Sequence, residues 1–127
     1  MLVTGAGGGL GRAIALRFAT AGARIVALDR EREGVESLHA EIAGRVGECL
    51  AVTCDVTDAA ACSTAVARAV EHFGSLDVLV NNAGMSHRSG FAVTGLDVIR
   101  RVMDVNFFGA VNCTKAALPH LVARRGL

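Results

Sequence analysis

The 127-residue chain contains no tyrosine, no tryptophan, a single proline and a single lysine, Lys115. Without tyrosine, no phenol within these residues can hand a proton to a substrate oxygen. Without a lysine ahead of position 115, no glycine cluster is followed by Gly-Lys-Ser/Thr, so a P-loop and the ATP hydrolysis it supports are excluded. No apolar run approaches the ~18 residues of a membrane span, and the N-terminus lacks the basic-then-apolar pattern of a secretory leader. The expected compartment is the cytoplasm, with no membrane partner. Cys49, Cys54, Cys62 and Cys113 form no C-x-x-C pair, and no histidines stand at ligand spacing, so neither a metal site nor a redox motif is expected. The formal charge is +1 and the arginines are scattered in ones and twos, which leaves no basic stripe for nucleic acid.

What is present is apolar and rich in glycine. Hydrophobic residues make up 52% of the chain and charged ones 20%, which argues against disorder and for a substantial core. A chain of this length forms one domain that buries roughly two-thirds of its unfolded surface. Residues 1–127 are therefore read as a single unit.

Along the chain, strand and helix signals alternate. Leu2-Val3 is a short apolar run that stops at a glycine-dense stretch. A helix follows, in which Leu10, Ile14, Phe18 and Ala21 recur on one face before Gly22. Ile25 to Leu28 is an uninterrupted apolar run ended by Asp29, as expected of a parallel strand covered on both faces. Val35, Leu38 and Ile42 mark a second helix within residues 31–43, and Leu50 to Thr53 a third strand. Thr57 or Asp58 can cap a third helix lined by Cys62, Val66, Ala69, Val70 and Phe73 and stopped at Gly74. A fourth strand at Val78 to Val80 and one long helix over residues 97–125 complete the pattern. Four such alternations predict an α/β fold with a parallel sheet.

Thr4-Gly5-Ala6-Gly7-Gly8-Gly9-Leu10-Gly11 falls where the first strand turns into a helix. There, missing side chains let the backbone approach a pyrophosphate, and the helix N-terminus attracts its charge by about 0.3–1 kcal/mol at an exposed site. A plain tight turn is the alternative. Asp29 lies 18 residues beyond Gly11, near the spacing of an acid that accepts hydrogen bonds from an adenosine ribose. Its charge would repel a 2′-phosphate and favour NAD over NADP. Arg30 beside it acts in the opposite direction. The alternative for Asp29 is a turn residue at a strand end.

Thr4-Gly5-x-x-x-Gly9-x-Gly11 has the glycine spacing of the short-chain dehydrogenase/reductases. Three further motifs follow in that family's order: Asp55-Val56, Asn81-Asn82-Ala83-Gly84, and Met103-Asp104-Val105-Asn106. On these four motifs the chain resembles the N-terminal part of that NAD(P)-dependent oxidoreductase family. The resemblance implies a Rossmann-like, doubly wound parallel sheet of strand order 3-2-1-4, ending after the fourth strand and the long helix. It also implies a cofactor site made of Gly5, Gly8, Gly9, Leu10 and Gly11 on the pyrophosphate side, with Asp29 and Arg30 at the ribose. Asp55 and Val56 would flank the adenine, and Asn82, Ala83 and Gly84 would border the adenosine ribose and buttress the sheet. Asn106 would be a member of the catalytic tetrad, perturbing its helix and helping to hold a water that connects to the catalytic lysine.

The family's other tetrad members, a serine and a Tyr-x-x-x-Lys pair, would lie beyond Leu127. Lys115 cannot stand in, because Val111 occupies the position four residues before it. The resemblance thus implies hydride transfer between NAD(P) and an alcohol or ketone for a longer parent, with this chain as its cofactor-binding fragment, inactive alone. A non-catalytic dinucleotide-binding module is the alternative; a methyltransferase is disfavoured because the asparagine motifs have no role there. Ending at Leu127 is expected to leave Val78–Val80 as a bare sheet edge and the last helix uncovered, with poor solubility. In the parent, that helix is expected to form a homo-oligomer contact.

Overall fold

The computed structural model describes residues 1–45 and 47–127. The apolar segments β1 (Leu2–Thr4), β2 (Ile25–Asp29), β3 (Cys49–Thr53) and β4 (Leu79–Val80) pair in parallel, in the order β3-β2-β1-β4. Leu2 stands opposite both Val26 and Leu79, and Val26 opposite Leu50, so the expected strand order is the one observed.

Because alternate side chains leave a strand on opposite faces, each strand feeds two cores. Val3, Ile25 and Ala27 join Val35, Leu38 and Ile42 on one side, under α1 (Gly9–Thr20) and α2 (Arg32–Ala43). Leu2, Val26, Leu28 and Val52 join Cys62, Val66, Ala69, Cys113 and Ala117 on the other, under α3 (Ala59–Phe73) and α5 (Gly109–Arg124). The sheet is thus doubly wound. Each fully buried aliphatic side chain contributes about 1.5–3 kcal/mol, which is why the uninterrupted apolar runs lie in the middle of the sandwich. Cys62 and Cys113 face each other with 3.6 Å between sulfurs, and all four cysteines are free and buried. Burial lifts the Cys49 thiol to about 11, and burial together with the neighbouring Cys62 lifts Cys54 to about 12, so neither is a ready nucleophile.

Three expectations change. In α1 the buried face is Gly11 and Ala15, while Leu10 is 70% and Phe18 46% exposed. The helix lies so close to the sheet at Gly11 that only small residues fit beneath it, and the larger apolar ones are displaced to the rim. The long C-terminal helix begins at Leu96 and is not uniform: α4 (Leu96–Met103) passes through a π-helical turn at Asp104–Phe108 into α5. Finally, β4 is not bare. The Leu79 amide donates to the Leu127 carbonyl at 2.8 Å and the Leu127 amide to the Asp77 carbonyl at 2.9 Å, so the residues after α5 already run beside it. Arg124 secures that return by donating to Asp77 at 2.8 Å, which holds the Asp77 carboxyl below its usual range.

Helix ends follow local chemistry. Asp58, not Thr57, caps α3 by accepting from the amides of Ala60 and Ala61, and Gly74 ends it in the left-handed region at φ +77°. No helix among the described residues is long and apolar enough to cross a membrane.

Candidate functional site

The C-terminal ends of all four strands open on the same side, where loops replace hydrogen-bonded ladder. In an open parallel sheet this is where ligands bind, at the point where strand order reverses. Here the reversal falls between β1 and β4, and a cleft of about 1060 Å³ occupies it.

Its floor is the loop after β1. The chain leaves Thr4, turns at Gly5 with φ +65°, and enters α1 through Gly8 and Gly9. No side chain caps this helix end, and nothing stands within 4 Å of where a Cβ on Gly8 or Gly9 would be. The first-turn amides therefore face open space, with the positive end of the helix dipole behind them. Beneath the floor the fit is tight. A Cβ on Gly5 would come within 2.9 Å of the Ala83 Cα, and one on Gly11 within 2.5 Å of the Asn82 amide nitrogen.

Thr4 and Asn82 hold β1 and β4 together at the reversal. The Thr4 hydroxyl accepts from the backbone amides of Asn82 at 3.0 Å and Ala83 at 2.9 Å, and the Asn82 side chain donates to the carbonyls of Thr4 and Gly5. Thr4 is buried, so an aliphatic isostere would strand two amides. Thr4→Val is expected to cost about 2–4 kcal/mol, read from the denaturant midpoint, while Thr4→Ser keeps most of that stability. Equal midpoints for the two variants would show that the hydroxyl is not the fastener.

Two carboxylates line the walls. Asp29 accepts from the Gly7 amide through Oδ2 at 2.9 Å and from the Glu31 amide through Oδ1 at 3.1 Å, which fixes its plane and leaves lone pairs on both oxygens. Arg30 beside it is exposed and paired with Glu31 at 3.2 Å. The Oδ1 atom of Asp55 accepts from the Thr57 amide and hydroxyl, and those bonds, with a smaller contribution from Arg30, hold its carboxyl below the usual range. Asn112 on α5 donates to the Val56 carbonyl at 3.0 Å and so supports the same loop from behind.

Asn106 sits in the π turn with both side-chain atoms engaged: Oδ1 accepts from the Met85 amide at 2.8 Å, and Nδ2 donates to the Met85 carbonyl at 2.9 Å. This bond pair ties the helix to the loop following Gly84. A residue inside a π turn is a recurrent mark of functional sites, since one helical bond is given up there.

Gly5, Gly8, Leu10, Asp29, Arg30, Asp55, Val56, Asn82, Ala83 and Gly84 all line the cleft. Gly11 lies under the floor and Gly9 at the exposed start of α1, while Asn106 follows the cleft-lining Val105 in the same π turn but faces a separate shallow groove. His87 and Arg88, polar loop residues, are not among the lining residues. Thr4, Gly7, Met85 and Asn112 were not singled out as contacts by the sequence, because each works through a partner 21 to 79 positions away. Among the described residues no cluster of three or more potential ligands could hold a metal.

The short chain dehydrogenase family model matches residues 1–126. The chain is 42% identical over 129 residues to the mouse (Mus musculus) dehydrogenase/reductase SDR family member 7B, covering 98% of this chain and 40% of that protein. It is also 42% identical over 124 residues to the oxidoreductase UcpA of Escherichia coli K12, covering 98% and 47%. The structure of NAD⁺-bound xylitol dehydrogenase superposes with a TM-score of 0.94 at 36% identity, covering 98% of this chain and 48% of that one. The chain spans about half the length of these relatives or less. With four motifs, one strand order and a family match over nearly every residue, the chain belongs to the short-chain dehydrogenase family.

Proposed function

We propose that these residues bind NAD, in preference to NADP, as the adenosine side of an oxidoreductase that transfers hydride between the nicotinamide and an alcohol or ketone. The observation that carries the reading is the Asp29 carboxylate, held in the cleft by two backbone amides with free lone pairs where a ribose diol would donate. Fit is supported by the floor, where the bare amides of α1 meet a glycine cradle that any side chain would fill. The NAD⁺ in the xylitol dehydrogenase is in line with this. Bound there, the cofactor supplies the hydride chemistry. The chain's residues bind and orient: Gly5, Gly8, Gly9, Leu10 and Gly11 form the pyrophosphate side, Asp55 and Val56 the adenine side, and Asn82 to Gly84 the wall between. Asn106 is a positioning residue in this reading. Its side chain is committed to Met85, so what it offers the site is its backbone and the bend in the helix.

Titration of the 127-residue chain with NAD⁺ and NADP⁺ tests the preference. NAD⁺ is expected to bind more tightly. Asp29→Asn is expected to weaken NAD⁺ about tenfold, the worth of one hydrogen bond to a charged group, while NADP⁺ improves or is unchanged. An unaltered ratio of the two affinities in Asp29→Asn would remove Asp29 from the site.

The exposed apolar residues Met103, Phe107, Val111, Leu118 and Val122, which run from α4 through the π turn into α5, support a subunit contact through this helix in the parent. The free cysteines suit a reducing compartment such as the cytoplasm.

A further inference from the structure

The glycine loop touches α2 as well as α1 and β4. A Cβ on Gly34, in the first turns of α2, would come within 2.8 Å of the Gly7 Cα and 2.9 Å of the Gly7 carbonyl oxygen. A Cβ on Gly7 would in turn meet Asp29 Oδ2 at 3.0 Å and the Gly34 Cα at 3.3 Å. Glycine inside a helix costs stability relative to alanine, so its presence here wants a reason. The backbone-to-backbone contact is that reason: it leaves no room for a side chain.

A second device acts on the same contact. Arg12, one residue beyond Gly11, reaches across to α2, where it donates to the Gly34 carbonyl at 3.4 Å and pairs with Glu41 at 2.7 Å. Arg12 thus draws α2 onto α1 at the level of Gly34. Between the two helices lies the Gly7 amide, whose 2.9 Å bond to Asp29 sets where that carboxylate points.

We propose that Gly34, outside the cleft lining, is a positioning residue for recognition of the cofactor's 2′-hydroxyl, acting through Gly7 on Asp29, with Arg12 as the latch that keeps the contact closed. This rests on the NAD reading above. A side chain at position 34 pushes Gly7 away from α2, its amide leaves Asp29 Oδ2, and the carboxylate rotates off the ribose.

The test compares NAD⁺ with 2′-deoxy-NAD⁺ on the unaltered chain, Gly34→Ala, Arg12→Met and Gly44→Ala. The last is at the far end of α2, where a Cβ meets only ordinary contacts of 3.4 Å and longer. For the unaltered chain and Gly44→Ala, removing the 2′-hydroxyl is expected to weaken binding about tenfold. For Gly34→Ala and Arg12→Met the two ligands should bind within about twofold of each other, because the acceptor is already misplaced. Loss of affinity alone would follow from any damage to the helix; loss of discrimination would not. Arg12→Met adds no atom at the Gly7–Gly34 contact, removing only the Arg12 bonds to the Gly34 carbonyl and Glu41, and decides the matter should Gly34→Ala not fold. The Gly7 amide gives an independent reading in the ligand-free chain: hydrogen exchange there should accelerate in both latch variants and not in Gly44→Ala. Tenfold discrimination retained in Gly34→Ala, or in Arg12→Met, overturns the inference and leaves the NAD reading standing. Failure of the unaltered chain to bind NAD⁺ overturns both.

Discussion

Gly11→Ala is expected to lower stability by about 3 kcal/mol and, in whatever folded fraction remains, to weaken NAD⁺ binding more than tenfold. A single methyl group ordinarily falls within the 1–3 kcal/mol range of overpacking, and its place in that range depends on what must move. Here nothing adjacent can move cheaply. The added carbon would overlap the Gly5 carbonyl oxygen, which is backbone at the turn itself, and reach 2.5 Å from an Asn82 nitrogen already bonded to the carbonyls of Thr4 and Gly5. Relief requires α1 to lift from the sheet, which breaks the bond between β1 and β4 on which the cleft floor rests. Against a typical domain stability of 5–15 kcal/mol, that loss is a large fraction. Gly8→Ala supplies the contrast. Its backbone is extended and its Cβ would meet nothing, so stability should change by no more than about 0.5 kcal/mol while the cradle loses room for phosphate. Denaturant midpoints of the two variants check the pair; equal midpoints would mean that helix and strand are not in the close contact described.

The strands and helices were legible because the relevant signals are local, whereas the order of the strands in the sheet came from the family resemblance. Ile25 to Leu28 is apolar without interruption, which only a strand covered on both faces requires, and Val35, Leu38 and Ile42 show the helical period that burial on one side imposes. The face of α1 was misread for a physical reason. Periodicity weighs large apolar residues, whereas α1 docks through Gly11 and Ala15, because close approach outweighs apolar area at this position. The π turn left no periodic signature either. It inserts one residue into an otherwise helical segment, and only Asn106, an awkward residue mid-helix, signalled that something non-helical was needed there.

The site divides in the same way. Glycines and Asp29 could be placed because their spacing is fixed by the loop and strand that carry them. Thr4, Met85 and Asn112 could not, since each matters through a hydrogen bond across the fold, and a threonine at a strand end looks the same whether or not two distant amides converge on its hydroxyl. Gly34 is the extreme case: its meaning lies wholly in what stands opposite it.

The purified 127-residue chain is expected to bind NAD⁺ without turning over any alcohol, and NADH without reducing any ketone. In the proposed reading cofactor binding draws on the β1 loop, Asp29, the Asp55–Val56 loop and the wall at Asn82, residues that line one cleft. Hydride transfer needs in addition a group that takes or gives the proton on the substrate oxygen, and positioned acid–base catalysis of that kind is commonly worth ~10²–10⁴-fold. No tyrosine exists in these residues to do so. Asn106 cannot substitute, for its amide carries no titratable proton and is bonded at both ends to Met85. Lys115 is exposed on α5 in a shallow groove with Asn106 and Thr114, without a phenol beside it. The measurement is nicotinamide absorbance against a panel of alcohols and ketones, alongside a binding isotherm on the same sample. Binding without turnover is the expected pair of results. Turnover above the uncatalysed rate would show that another group in the cleft moves the proton, and the cleft-lining carboxylates Asp55, Asp97 and Asp104 would be the first to replace.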